Sequence, residues 1–143
     1  MRLIVLDTNV VISARLSPGG APAMLVMDYV LTGRVQVTTC PSVVQEYIEV
    51  VHRPKFARFA FPPPWLEFLI EESLQLPDPP PWPHPSPDPK DAPFLALAHL
   101  AGAWLVTGNL KHFPKPVRHG VTVLSPAEYL DQLGEGSQEF EGR

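Results

Sequence analysis

Hydrophobic residues recur along this chain in short runs and in helical stripes, and their order predicts an α/β fold. The apolar runs predict four strands, at residues 2–6, 35–38, 103–107 and 121–124. Stripes that repeat every three to four residues predict helices, at residues 21–32, 41–51, 65–74, 88–102 and from 126 onward. Strands that alternate with helices form a mostly parallel sheet covered on both faces. We therefore expect a three-layer α/β/α sandwich.

Proline marks the boundaries of this pattern. Residues 77–89 contain eight prolines in thirteen positions, which excludes a helix or a central strand there. An extended surface connector is the preferred interpretation, and a proline-rich protein-binding motif is the alternative. Near the end of the chain, Ser125-Pro126-Ala127-Glu128 has the residues of a capping box and predicts the start of the last helix.

The length of 143 residues predicts one domain, which we place at residues 1–133. Residues 134–143 have little apolar surface to bury and are expected to form a disordered acidic tail. The single cysteine, Cys40, cannot form an internal disulfide, and no signal peptide is recognised. No apolar run reaches the roughly 20 residues that cross a bilayer. These features favour a cytoplasmic protein without a membrane partner.

The net charge of −4 is concentrated at the end of the chain, because residues 1–127 contain ten acids and ten bases. Two stretches, 52–58 and 111–119, contain no acid at all. Local basic patches of this kind bind phosphate backbones, although ordinary solvated loops have the same composition. The candidate RNA-binding residues in them are Arg53, Lys55, Arg58, Lys111 and Lys115.

Three acids stand at element boundaries where a parallel sheet would form a cleft. Asp7 follows the first buried strand, Glu46 borders the apolar stripe of its helix, and Asp91 lies in the first turn of the helix at 88–102. Each has a structural alternative: Asp7 as a turn former, Glu46 as a solvated acid, and Asp91 as the capping partner of Asp88. Ligands that offer only oxygen favour the hard cations Mg²⁺ or Mn²⁺.

Four segments in order resemble the PIN-domain family of metal-dependent ribonucleases, over about residues 1–130. The similarity is greatest to stand-alone prokaryotic toxin-like (VapC-like) members. No segment is specific alone, but the ordered set is. The segments are Leu6-Asp7-Thr8-Asn9-Val10, Ser42-Val43-Val44-Gln45-Glu46, residues 88–98 (DPKDAPFLALA) and Val106-Thr107-Gly108-Asn109.

The resemblance implies that Asp7, Glu46 and Asp91 bind the metal and are catalytic. It makes Thr107 a supporting hydroxyl, and Thr8 and Asn9 can support the site or close the turn after the strand. Asn109 departs from the family pattern, because many members have Asp at this position or just before the following Phe, where this chain has His112. A neutral amide weakens a second metal site. Asp88 and Asn109 are therefore additional candidate ligands, and the number of metals stays open.

The function implied by the resemblance is a Mg²⁺- or Mn²⁺-dependent endoribonuclease that cleaves single-stranded RNA, as the toxin of a toxin–antitoxin pair. A small antitoxin protein and a homodimer are the implied partners. The alternative is a non-catalytic or weakly catalytic module of PIN type that binds RNA or an antitoxin. A phosphatase with Asp7 as nucleophile is disfavoured, because such enzymes place a second Asp where this chain has Asn9.

Overall fold

The computed structural model of the chain describes residues 2–84 and 88–141, with side chains as far as Gly134. Its centre is a sheet of five strands, and every strand pair in it is parallel. The α/β/α sandwich expected from the sequence is thereby confirmed. The strands are β1 (Leu3–Leu6), β2 (Gln36–Thr39), β3 (Leu74–Gln75), β4 (Trp104–Val106) and β5 (Val123–Leu124).

The strand order is β3-β2-β1-β4-β5, so the chain adds strands first on one side of β1 and then on the other. The sheet therefore has a topological switch between β1 and β4, and ligands of open α/β sheets bind beyond the carboxyl ends of the strands at such a point. Leu6 is in register with Val106. Asp7 and Thr107, which follow them, consequently emerge side by side at the switch.

Seven α-helices and several short turns of other helix types are present in the described part of the chain. The α-helices are α1 (Thr8–Leu16), α2 (Ala21–Met24), α3 (Pro41–Val51), α4 (Leu66–Glu72), α5 (Ala92–Ala101), α6 (Lys115–Arg118) and α7 (Pro126–Glu141). A π-helical turn covers Leu25–Val30, and 3-10 helices cover Pro54–Phe59, Pro89–Asp91 and Leu110–His112.

The core divides into two layers because side chains of β1 alternate between the two faces of the sheet. Val5 packs into the layer formed with α3 and α5, whereas Ile4 and Leu6 pack into the layer that contains Tyr129 of α7. These three strand residues are fully buried. The continuous apolar run at the start of the chain is thus explained by burial on both faces, as expected for a central parallel strand.

Several element boundaries differ from the sequence prediction. The strand β3 was not predicted, because its two residues are exposed and form a strand by parallel pairing with β2. The helix expected at 65–74 ends at Glu72, so Leu74 and Gln75 are available to pair with β2. The helix expected at 21–32 is divided into α2 and the π-helical turn. Thr8 does not close a turn but is the first residue of α1.

The proline-rich segment is an extended connector over the described residues 77–84, as predicted. The indole Nε1 of Trp82 donates a hydrogen bond of 3.0 Å to the carbonyl oxygen of Val117 and fixes the segment to the body of the domain. Asp78 accepts hydrogen bonds from the backbone N–H and the hydroxyl of Ser42, at 2.9 and 2.8 Å, in the first turn of α3. Residues 85–87 lie outside the described part.

The capping box at the start of α7 is confirmed. The backbone N–H of Glu128 donates to the Ser125 hydroxyl at 3.1 Å, and that of Ser125 donates to the Glu128 carboxylate at 3.0 Å. The helix α7 continues past Leu133, where the sequence predicts the folded domain to end, as far as Glu141. The domain division at residue 133 stays a prediction, and residues 142–143 lie outside the described part.

Taken singly, every helix in the described segments is too short or too polar to span a membrane. Only the pair Thr8–Leu16 and Ala21–Val30, bent by 100°, has the length and composition when counted together.

Candidate metal centre

Asp7 and Thr107 are hydrogen-bonded to each other at the carboxyl ends of β1 and β4. The Thr107 hydroxyl donates to Asp7 Oδ2 at 2.8 Å, and it accepts a hydrogen bond of 3.0 Å from the backbone N–H of Asn109. Thr107 is fully buried and Asp7 is nearly so. The Thr107 hydroxyl therefore fixes the orientation of the Asp7 carboxylate at its Oδ2 oxygen.

Asn9 joins the same two strand ends from the first turn of α1. Its side-chain N–H donates to Asp7 Oδ2 at 3.2 Å, and its Oδ1 accepts a hydrogen bond of 2.8 Å from the backbone N–H of Gly108. A Cβ at position 108 would lie 3.2 Å from Asn9 Oδ1, closer than ordinary contact. Glycine at this position thus allows β4 to approach the amide that supports Asp7.

Glu46 is brought to the cleft by the packing of α3 against the end of β1. The neighbouring Tyr47 is fully buried, and its hydroxyl donates to the carbonyl oxygen of Leu6. Glu46 itself is half-buried at the border of the helix, as the sequence pattern predicts. Its Oε2 accepts a hydrogen bond of 2.6 Å from the Thr8 hydroxyl, next to Asp7 in the chain.

Asp91 reaches the cleft from the residue that precedes α5. Asp88 caps the preceding 3-10 helix, because its Oδ1 accepts a hydrogen bond of 2.9 Å from the backbone N–H of Lys90. The buried Oδ2 of Asp91 accepts no hydrogen bond within the described part of the chain, although His112 Nδ1 lies 3.1 Å away. An unsatisfied buried carboxylate oxygen is costly and indicates a missing partner.

The pKa values of the two buried acids reflect their surroundings. Burial raises the pKa of Asp7, and the negative charge of Glu46 adds to the effect, while the hydrogen bond from Thr107 opposes it. Burial, and next the charge of Asp7, raise the pKa of Asp91 from its usual 3.8 to about 6. Acids that repel one another while desolvated favour the binding of a cation.

These residues line an open cleft of about 410 Å³ with a basic rim. Arg53, Lys55 and Lys90 line the cleft together with Asp7, Glu46, Asp88, Asp91 and His112. The acidic side chains suit a bound metal ion, and the basic side chains at the rim suit an anionic phosphate backbone.

The donor chemistry of the cleft fits a divalent cation. Asp7 and Asp91 offer carboxylate oxygens. A cation bound to Asp91 Oδ2 would explain why this buried oxygen accepts no hydrogen bond within the described residues. Over the described residues, no three His, Cys, Asp or Glu side chains are already gathered to hold a metal ion. Glu46 is turned towards Thr8, so it would enter such a site by exchanging that hydrogen bond.

Other sequence candidates lie outside the cleft. Asn109 does not line it, and it contacts the site through its backbone N–H. Arg58 packs over the Phe59 ring, 4.8 Å from its centre, and Lys111 and Lys115 are exposed elsewhere. Sequence reasoning had not selected the cleft residues His112 and Lys90. A signal existed for His112, because it stands at one of the two positions where the sequence resemblance leads to the expectation of an Asp.

Comparison with known proteins bears on the family and the fold of the chain. A family model described as "PIN domain" matches residues 3–111. The solved structure described as "Crystal Structure of FitAcB from Neisseria gonorrhoeae" is similar, with a TM-score of 0.55 and 19% sequence identity. The match covers 86% of this chain and 97% of that one, and at this identity it supports the fold alone. No curated protein sequence matches this chain.

Proposed function

Because the chain belongs to the PIN-domain family, we propose that it is a metal-dependent endoribonuclease acting on single-stranded RNA. Asp7 and Asp91 would bind the Mg²⁺ or Mn²⁺ ion, and Glu46 would complete the set of acids. A divalent cation in this cleft would polarise the phosphodiester and lower the pKa of an attacking water. The alternative of a non-catalytic RNA-binding or antitoxin-binding module is retained below with its own test.

The observation that carries the proposal is the pair of buried, mutually repelling carboxylates at the topological switch. Asp7 and Asp91 are 5% and 7% exposed. Burial and the charge of Glu46 raise the pKa of Asp7, and burial and the charge of Asp7 raise the pKa of Asp91. Burying a carboxylate reduces stability unless a positive charge compensates it. Their presence at the position where α/β folds bind ligands is explained by a cation that binds both.

Each neighbouring residue has a distinct task in this proposal. Thr107 and Asn9 hold Asp7 Oδ2 by hydrogen bonds, so the orientation of this carboxylate at the cleft is fixed. Thr8 holds Glu46 close to the site. Arg53, Lys55 and Lys90 at the rim would position the phosphate backbone without reading its sequence.

The test is cleavage of a single-stranded RNA with Mn²⁺ or Mg²⁺ by the wild type and by Asp7→Asn. Asparagine keeps the size of the side chain but removes the charge that binds the cation, so we expect cleavage to fall by at least about 10²-fold. The matched control is Asp28→Asn, which removes an exposed acid of the π-helical turn and should leave cleavage unchanged. Equal cleavage by wild type and Asp7→Asn would rule out the mechanism.

A non-catalytic binding module is the second candidate. Two observations favour it: Asn109 lies outside the cleft, and Glu46 is engaged by Thr8 rather than gathered with the other acids. Calorimetric titration with Mg²⁺ and, in parallel, with Mn²⁺ separates the candidates. Binding of either ion at submillimolar to millimolar concentration supports the nuclease, and no heat of binding with both ions at several millimolar supports the module.

The proposal extends to partners and location. We expect a small antitoxin protein, a homodimer and a cytoplasmic site of action, since the motifs resemble toxin-like PIN proteins and the chain has one buried cysteine. Sedimentation of the purified protein tests the dimer, and a mass near 15.8 kDa would contradict it. An antitoxin-like reading frame beside this one would support the toxin assignment.

A further inference from the structure

Among the described residues that line the cleft, His112 carries an imidazole, a nitrogen donor for metals, and has no role in the proposed reaction. It ends the short 3-10 helix Leu110–His112, which follows the strand end that contains Thr107. The next residue, Phe113, is fully buried and fixes the end of this helix in the core. The imidazole is thus placed at the cleft by packing rather than by a flexible loop.

The contact between His112 and Asp91 has the distance of a hydrogen bond without its alignment. His112 Nδ1 lies 3.1 Å from Asp91 Oδ2, yet this oxygen accepts no hydrogen bond within the described part of the chain. Two donor atoms about 2.1 Å from one metal, in adjacent octahedral positions, are about 3 Å apart. The observed separation of 3.1 Å is close to that of two ligands of a shared ion.

We propose that His112 is a metal ligand, which replaces the missing acid of the family pattern and favours first-row transition ions over Mg²⁺. Imidazole binds ions such as Co²⁺, Fe²⁺ and Zn²⁺ well, whereas Mg²⁺ prefers oxygen. Asn109 does not line the cleft, and Asp88 Oδ1 caps the 3-10 helix at Lys90. His112 therefore supplies the fourth side chain. This inference rests on the metal site of the proposed nuclease.

Pulsed electron paramagnetic resonance on the Mn²⁺-loaded protein tests the ligand directly. Mn²⁺ bound to an imidazole shows hyperfine coupling to ¹⁴N, and we expect this coupling in the wild type. It should be lost in His112→Asn. The control is His119→Asn, a position with φ of 41° that asparagine tolerates and that does not line the cleft, and it should retain the coupling.

Calorimetry tests the selectivity. We expect Co²⁺ affinity to fall by at least about tenfold in His112→Asn, with a smaller change in Mg²⁺ affinity. His112→Asp should raise Mg²⁺ affinity relative to Co²⁺, because it restores an oxygen donor. A wild type without ¹⁴N coupling, a coupling that survives in His112→Asn, or an unchanged ratio of Co²⁺ to Mg²⁺ affinity in both variants would overturn the inference.

The two proposals can fail separately. RNA cleavage that depends on Asp7 without ¹⁴N coupling would overturn the role of His112 alone. A wild type that shows ¹⁴N coupling but cleaves no RNA would overturn the nuclease and support the ligand.

Discussion

At the scale of single residues, the Thr107 hydroxyl is the group on which the geometry of Asp7 depends. It donates to Asp7 and accepts from the backbone of Asn109, and it is fully buried. A methyl group in its place would leave the backbone N–H of Asn109 without its acceptor, and Asp7 Oδ2 with the longer hydrogen bond from Asn9. The hydroxyl therefore links the stability of the domain to the order of the site.

We predict that Thr107→Val lowers the free energy of unfolding by about 1–3 kcal/mol, because a buried hydrogen-bonding network is broken. Urea denaturation followed by circular dichroism measures this loss. The control is Thr32→Val at an exposed threonine, which should change stability by no more than about 0.5 kcal/mol. Equal effects of both substitutions would show that the buried network contributes nothing specific.

A second prediction concerns the pH dependence of the metal-free protein. The pKa of Asp91 is raised to about 6 in the folded state, so the folded form binds this proton more tightly than the unfolded chain. The contribution to stability is full below about pH 4 and is lost as the pH rises through about 6. In EDTA, the wild type should lose stability over this range by more than Asp91→Asn does.

Denaturation curves from pH 4 to pH 7 provide the measurement, and the difference between the two proteins isolates Asp91 from other titrating groups. Added Mn²⁺ should restore stability to the wild type at pH 7 and have less effect on Asp91→Asn. Parallel pH profiles in EDTA would contradict the burial of an ionisable Asp91.

At the scale of elements, the end of α5 shows how the helix that follows Asp91 is delimited. Gly102 follows its last residue with φ of 64°, in the left-handed region, and its N–H donates to the carbonyl oxygen of His99 at 3.3 Å. A Cβ there would meet no atom within 4 Å, so space does not require the glycine. Its backbone conformation does.

Accordingly, Gly102→Ala should cost about 1 kcal/mol of stability, from backbone strain alone. The control is Gly19→Ala, at a turn without positive φ where a Cβ also meets no neighbour, and it should be close to neutral. Thermal unfolding compares the two. If both alanine variants were equally stable, conformational strain would not explain the glycine.

At the scale of the whole molecule, charge is separated between an acidic base and a basic rim of one cleft. Arg53, Lys55 and Lys90 line it, although overall the chain is acidic with a net charge of −4. Lys111 and Lys115, which the sequence equally suggested as RNA contacts, are exposed elsewhere. This separation of charge predicts that the basic side chains of the cleft, rather than Lys111 and Lys115, bind RNA.

We expect Lys55→Ala to weaken RNA binding and to reduce the slope of log affinity against log salt by about 0.7, the value for one phosphate contact on a single strand. Lys115→Ala should have a smaller effect on both. Fluorescence anisotropy with a labelled RNA, in the Asp7→Asn background to prevent cleavage, measures them. A larger effect at Lys115 would move the RNA path away from the cleft.

Much of the fold and some of the site were readable from the sequence alone. The buried run before Asp7, the capping box at Ser125 and the helical border position of Glu46 were correctly predicted, because each depends on neighbours within one or two turns of chain. The short strand β3 was missed because its exposed residues have no local pattern. It exists through pairing with Thr38 and Thr39.

The sequence by itself determined which acids exist and at which element ends they stand, since strand and helix limits follow from local hydrophobic periodicity. Only the tertiary structure decided which of them meet. It placed His112 rather than Asn109 beside Asp91, turned Glu46 towards Thr8, and brought Lys90 to the rim. The reason is physical: distances between side chains far apart in the chain are set by the packing of helices on the sheet, which no local pattern records.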